Sequence, residues 1–182
     1  WYGDQGDTVL EENSSFHDEY MHTLCHDWEQ AARKAESLGI RLCILRTGVV
    51  LGKSGGMLKR MLPVFGLGLG ARLGSGEQWF SWIALGDFLE IVRFMLTDEN
   101  QSGIYNATAP KPVTNAEFTS TLAQALGRPA FLHIPVSVLK LAMGEMSALL
   151  LGSQRVVPSR LLEARFKFRS RTLDEALRNE VG

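Results

Sequence analysis

The chain has 182 residues, 45% of them hydrophobic, with 19 basic against 20 acidic side chains and a formal net charge of −1. That length holds one domain or slightly more, with enough apolar residues to fill a core. The balanced charge excludes the electrostatic footprint that a nucleic acid or an anionic membrane requires. The first residue is Trp1 rather than Met, and residues 1–15 are polar and turn-rich. Ser14 and Ser15 can cap a helix starting near Phe16, with an apolar stripe of Leu24, Trp28, Ala31, Ala35 and Leu38 at steps of four and three. Gly39 stops it, and residues 41–45 follow as a short, nearly continuous apolar strand of the kind covered on both faces in parallel sheets.

Residues 46–76 hold nine of the eighteen glycines. A short helix fits 57–65, and 66–76 reads as a loop, because glycine at every second position cannot hold a helix. Residues 78–83 read as an aromatic strand. Asp87 then caps a helix whose inner face is Phe88, Val92 and Met95 or Leu96, and 103–107 forms a further strand. After Pro110-Lys111-Pro112 the texture changes. Thr114 and Glu117 form a capping box for a helix carrying Phe118, Leu122 and Leu126, ended by Gly127. A strand at 131–134 and a largely apolar helical stretch at 136–151, divided at Gly144, come next. Thr172 and Glu175 box the start of a terminal helix. Lys140, Gly144 and Glu145 interrupt the longest apolar stretch, so it cannot span a bilayer. Cys25 falls in a helix and Cys43 in an apolar strand, a reducing-compartment pattern that makes the cytoplasm the expected location.

Four constellations could carry chemistry. The run Gly48 to Ser54 is one residue short of a phosphate loop and has Thr47 where glycine is needed. Gly66-x-Gly68-x-Gly70 imitates a dinucleotide fingerprint but follows a helix instead of a strand, and reads as a flexible or substrate-covering loop. His22, Cys25 and His26 share one helical turn, yet no fourth ligand is suitably spaced, so no metal site is expected. Arg46-Thr47-Gly48 is stronger. A strand ending in polar residues and glycine exposes backbone groups at a sheet's carboxyl edge, where α/β folds bind ligands. Trp79 and Trp82, on the neighbouring aromatic strand, border a pocket or fill the core.

In order, Tyr2-Gly3, Cys25-x-x-Trp28-Glu29, Leu45-Arg46-Thr47-Gly48-Val49-Val50-Leu51, Gly74-Ser75-Gly76-x-Gln78, Ser81-Trp82-Ile83, Tyr105-Asn106, Asn115-x-x-Phe118 and Gln154-Arg155-Val156-x-Pro158 resemble the carboxyl-terminal two-thirds of an extended short-chain dehydrogenase/reductase. The branch is that of nucleoside-diphosphate-sugar epimerase-like proteins, and the likeness covers essentially the whole chain. It implies an α/β fold: residues 1–109 as the carboxyl-terminal portion of a Rossmann-like, doubly wound parallel sheet, with a glycine-rich substrate-side loop at 52–77, and residues 110–182 as a small, mostly helical domain of mixed substrate-side character. It further implies NADP or NAD as cofactor, with Thr47, Gly48, Val49 and Val50 beside its nicotinamide end and Gln78 and Trp82 on the substrate side.

The family's glycine-rich cofactor motif and active-site serine would lie before Trp1. The 182 residues alone are therefore expected to be inactive and not to bind NADPH, and to self-associate through a truncated sheet edge. The family's Tyr-x-x-x-Lys falls at Met21 and Cys25 when Glu29 is matched to its helix glutamate, so the catalytic residues stay unassigned. Two readings remain open: a portion of an NAD(P)-dependent epimerase or reductase acting on a small molecule, a nucleotide sugar among the candidates, or an NADP(H)-binding sensor or scaffold without catalysis. A third is an interaction module docking through 136–151.

Overall fold

A computed structural model describes residues 1–181. A short strand β1 (Val9–Leu10) precedes helix α1 (Tyr20–Arg33), and strands β2 (Cys43–Thr47) and β3 (Val49–Leu51) lead into α2 (Gly56–Gly66). Strands β4 (Ala71–Leu73), β5 (Trp79–Phe80) and β6 (Trp82–Ala84) come before α3 (Leu85–Thr97) and β7 (Gly103–Ala107). The remainder comprises β8 (Val113–Thr114), α4 (Asn115–Ala125), β9 (Leu132–Ile134), α5 (Val136–Met143), α6 (Ala148–Leu151), β10 (Arg155–Val156), α7 (Ser159–Glu163) and α8 (Leu173–Val181).

The expected parallel α/β fold is present. β2 pairs with β7 from Cys43↔Gly103 to Thr47↔Ala107, and β3 pairs with β6, both parallel. β2 and β3 form one extended run that changes partner at Gly48. The Gly48 N–H donates to the Ala107 carbonyl at 3.1 Å, while the next N–H, of Val49, donates to Ser81 at 2.9 Å. Three chain segments converge there. A Cβ at position 48 would lie 2.9 Å from the Ser81 oxygen and 3.0 Å from Thr108 Cγ2. Gly48→Ala is therefore expected to lose about 1–3 kcal/mol, the usual cost of overpacking, read as a lower urea midpoint with an unchanged slope.

Two cores flank this junction. One joins Leu51, Leu58 and Trp82 to Phe118, Leu122 and Leu177; the other joins Ile83, Ile91, Tyr105 and Leu161. The first draws on residues from both sides of position 110. The β4–β9 pair crosses the same position. Arg160 of α7 also returns to β7, donating to the carbonyls of Ile104 and Ser102.

Several expected elements are redrawn. α1 begins four residues later than the serine caps suggest, because the Ser14 hydroxyl accepts the Glu11 N–H instead. Its apolar stripe is not the inner face: Trp28 is 67% exposed and Leu38 76%, while His22 and Glu29 are buried. Those two polar side chains turn inward because their partners are there. His22 Nδ1–H donates to the Trp1 carbonyl at 2.7 Å, and Glu29 meets Arg46. Within 66–76, Ala71–Leu73 is a strand, since β9 offers it a parallel partner. The aromatic strand 78–83 breaks at Ser81, whose hydroxyl donates to the Gln154 carbonyl and accepts the Val156 N–H, tying it to β10.

Asp87 is not a cap. It lies inside the first turn of α3, 1% exposed, with Oδ1 accepting the Arg169 N–H at 2.8 Å and Oδ2 the Ser170 N–H at 2.9 Å. The Asp87→Ala variant leaves both donors unmet and is expected to cost about 1–3 kcal/mol, visible as a lower thermal midpoint. Of the two capping boxes the sequence implies, the second closes in both directions, whereas the first is made by the Thr114 hydroxyl alone. The Thr114 hydroxyl accepts the Glu117 N–H, and Glu175 accepts the Arg171 and Thr172 N–H groups, which holds its carboxyl below the usual range. The stretch from α5 to α6 is divided at Gly144 as expected, and Leu141 on its outer side is 90% exposed. No helix among the described residues is long and apolar enough to cross a membrane.

Candidate active site at the strand ends

A cavity of about 810 Å³ opens where β2 ends, between α1, α2, α4 and the segment through α6. This is the position at which parallel α/β sheets hold ligands. Thr47, Gly48 and Val49 line it, with Gln78 and Trp79 opposite. The N–H groups of Gly48 and Val49 are already bonded within the fold. The Thr47 hydroxyl is less committed: its one contact is a long 3.4 Å bond to the Leu45 carbonyl. Val50 does not line the cavity; it packs toward the core of Ile83 and Tyr105.

The two tryptophans separate. Trp82 is fully buried, with Nε1–H donating to the Lys111 carbonyl at 3.0 Å, and is core. Trp79 reaches the cavity, held by a bond from its Nε1–H to Asp7 and by the Arg155 guanidinium 4.3 Å from its ring. Gln78 donates to the Leu73 and Leu150 carbonyls, which fixes its amide between β4 and α6.

The floor of the cavity is a charged network. Arg46 Nε and Nη2 donate to the two oxygens of Glu29 at 2.7 and 2.9 Å, and both side chains are at most 10% exposed. Arg46 Nη1 donates to the Glu12 carbonyl and to the Tyr2 hydroxyl, and the guanidinium stacks 3.4 Å over the Trp1 ring. Burial works against the Arg46 charge, but its bonds to Glu29 and Tyr2 outweigh it and raise the pKa. The Tyr2 hydroxyl donates in turn to Asn106 Oδ1 at 2.7 Å. Burial pushes the Tyr2 phenol above its ordinary range although Arg46 pulls it back in part, so Tyr2 stays protonated at neutral pH.

Of the positions matched to the family's catalytic pair, Cys25 lines the cavity, while Met21 is 41% exposed and the adjacent Tyr20 80%. His22 stacks on Phe16 at 3.6 Å, and no metal-binding cluster occurs among the described residues. Residues that the sequence did not assign to the site complete the wall: Met57 and Met61 from α2, Asn115 and Phe118 from α4, and Gln154 before β10. Asn115 and Gln154 stand next to a helix start and a strand start, the polar positions where a ligand-facing amide is most easily placed.

Fold and cavity define a Rossmann-like α/β chain with its site at the carboxyl edge of a parallel sheet. A domain of unknown function (DUF1731) matches residues 134–180. An epimerase family protein of Mycobacterium bovis is 47% identical over 179 residues, covering 97% of this chain and 59% of the relative. The crystal structure of human epimerase family protein SDR39U1 with NADPH superposes with a TM-score of 0.91 at 35% identity, over 99% of this chain and 61% of the human one. The nucleoside-diphosphate sugar epimerase of Corynebacterium glutamicum gives 0.80 at 35% identity, over 98% and 34%. The chain is thus a homologue of proteins named epimerase family proteins, and spans about three-fifths of the Mycobacterium bovis relative's length.

Proposed function

We propose that the cavity is the substrate chamber of an NAD(P)-dependent redox site, with Thr47, Gly48 and Val49 along the nicotinamide end of the cofactor and Val50 packed behind them in the core. The observation that carries this reading is the placement of those residues at the strand ends, on the wall of the large cavity, in a fold shared with an NADPH-bound relative. The Thr47 hydroxyl can donate or accept, which suits a carboxamide carrying both N–H and carbonyl groups. The cofactor would supply or accept hydride; the chain's own residues would hold the substrate and exclude water. Gln78 and Trp79 are the substrate-side contacts in this reading. Residence in the cytoplasm is proposed on the two free cysteines.

A second reading, an NADP(H)-binding sensor without turnover, is favoured by Met21 and Cys25 standing at the matched catalytic positions and by the commitment of the Tyr2 phenol to Asn106. The test is a calorimetric NADPH titration of a chain covering the full length of the family's members and, separately, of these 182 residues, followed by NADPH oxidation with carbonyl compounds. Binding with oxidation supports the redox site. Tight binding with no oxidation of any carbonyl supports the sensor, and no binding by the full-length chain removes both.

A further inference from the structure

The cavity is poor in charge. Of its lining side chains only Glu29 and Arg46 are ionic, and each is the other's bidentate partner. The Arg46 guanidinium has its remaining contacts on Tyr2, Glu12 and the Trp1 ring, which leaves it a single Nη2–H and no forked edge for a ligand. A nucleoside diphosphate brings at least two negative charges. Proteins hold such groups with forked arginines, lysines or the free N–H groups of a helix start.

The helix start that reaches the cavity at Asn115 has none to give. The N–H of Asn115 donates to the Gln78 carbonyl, that of Ala116 to Gly76, and that of Glu117 to the Thr114 hydroxyl. Glu117 adds an acidic side chain to the same turn. A doubly charged anion placed in this chamber would be desolvated with only neutral amide and hydroxyl donors and no unpaired cation to offset its charge, a costly form of burial.

The rest of the wall is apolar and adaptable. Met57 and Met61 face Phe80 and Phe118, with Leu149 and Leu150 closing one side. The polar groups that remain are neutral. Asn115 Oδ1 accepts the Leu73 N–H, leaving Nδ2 with no partner among the described residues, and the Gln154 side-chain amide likewise has none. A neutral N–H donor inside an apolar chamber suits a carbonyl oxygen, and the volume suits a molecule of ordinary ligand size.

We infer that the chamber takes an uncharged, largely apolar carbonyl compound and does not take a nucleoside diphosphate sugar. The carbonyl half of this assignment rests on the redox reading above; the exclusion of the diphosphate rests on the cavity alone. Saturation-transfer NMR on the purified protein, with 2-octanone, UDP and UDP-glucose as probes, tests it. 2-Octanone is expected to bind saturably, and UDP and UDP-glucose are expected to give no saturable signal. Leu149→Lys places a cation on the wall at a half-exposed position that folding tolerates, and should weaken the ketone at least about tenfold while leaving the thermal midpoint in place. Saturable UDP or UDP-glucose binding that 2-octanone displaces would overturn the assignment, as would the absence of ketone binding. A parallel NADPH titration of a chain covering the full length of the family's members keeps the two readings apart: NADPH binding together with UDP-glucose binding defeats the substrate class and spares the redox site. Ketone binding without NADPH binding does the reverse.

Discussion

Glu29→Gln is expected to destabilise the protein by about 3–5 kcal/mol, because it leaves the Arg46 guanidinium buried and uncompensated. The pair is at most 10% exposed and makes two parallel bonds, 2.7 and 2.9 Å long. An exposed ion pair is worth well under this. Its loss hurts here because, with 8% of its side chain exposed, Arg46 meets too little water to take over from the carboxylate. Arg46→Ala should cost a similar amount, since it strands Glu29 and removes the stacking partner of Trp1. The double replacement Glu29→Leu with Arg46→Met exchanges the pair for apolar volume and should recover most of the loss. Urea denaturation of the three variants measures this. A double mutant no more stable than either single one would show that the network holds the fold through Tyr2 and Glu12, not through the pair itself. The same network fixes α1 to the end of β2, so the single variants should also loosen the cavity floor, read as weaker ligand binding at temperatures where the chain remains folded.

How much of this was legible in the sequence differs by element, for physical reasons. Local signals survived. The strand at 103–107, the Thr114 cap, the Thr172–Glu175 box and the division at Gly144 depend on neighbours within four residues, and the chain carries that information directly. Contacts across the fold were harder. Asp87 reads as a cap because aspartate before an apolar run usually is one; its acceptors instead serve N–H groups 82 and 83 residues away. The α1 stripe misled for the same reason: a helix buries the face that finds partners, and here an arginine at the end of β2 and a backbone carbonyl at residue 1 draw in Glu29 and His22. In the site, Thr47 and Gly48 were readable as a polar strand end followed by glycine. That Asn115, Gln154 and the two α2 methionines face one cavity was not, because they come from three separate parts of the chain and only the tertiary fold brings them together.

Trp82 is the position where core and ligand readings diverge most sharply. Trp82→Ala is expected to cost about 3–5 kcal/mol, the range for removing a buried aromatic side chain. The indole is wholly buried among Leu51, Leu58, Phe118 and Leu177, and its loss also strands the Lys111 carbonyl that Nε1–H now satisfies. A domain of this size holds about 5–15 kcal/mol in all, so the variant should be marginal at 37 °C and show a sharply lower urea midpoint. Trp82→Phe keeps most of the apolar volume, forfeits the hydrogen bond and should lose a smaller amount, about 1–3 kcal/mol. Trp79→Phe provides the contrast. Trp79 is half-buried on the cavity wall, so its replacement should leave the midpoint nearly unchanged and alter ligand binding. The reverse pattern, a stable Trp82→Ala that fails to bind ligand, would move Trp82 from the core to the substrate side. It would also mean that the strand end at Ser81 opens far enough to turn an indole from the Lys111 carbonyl toward the chamber.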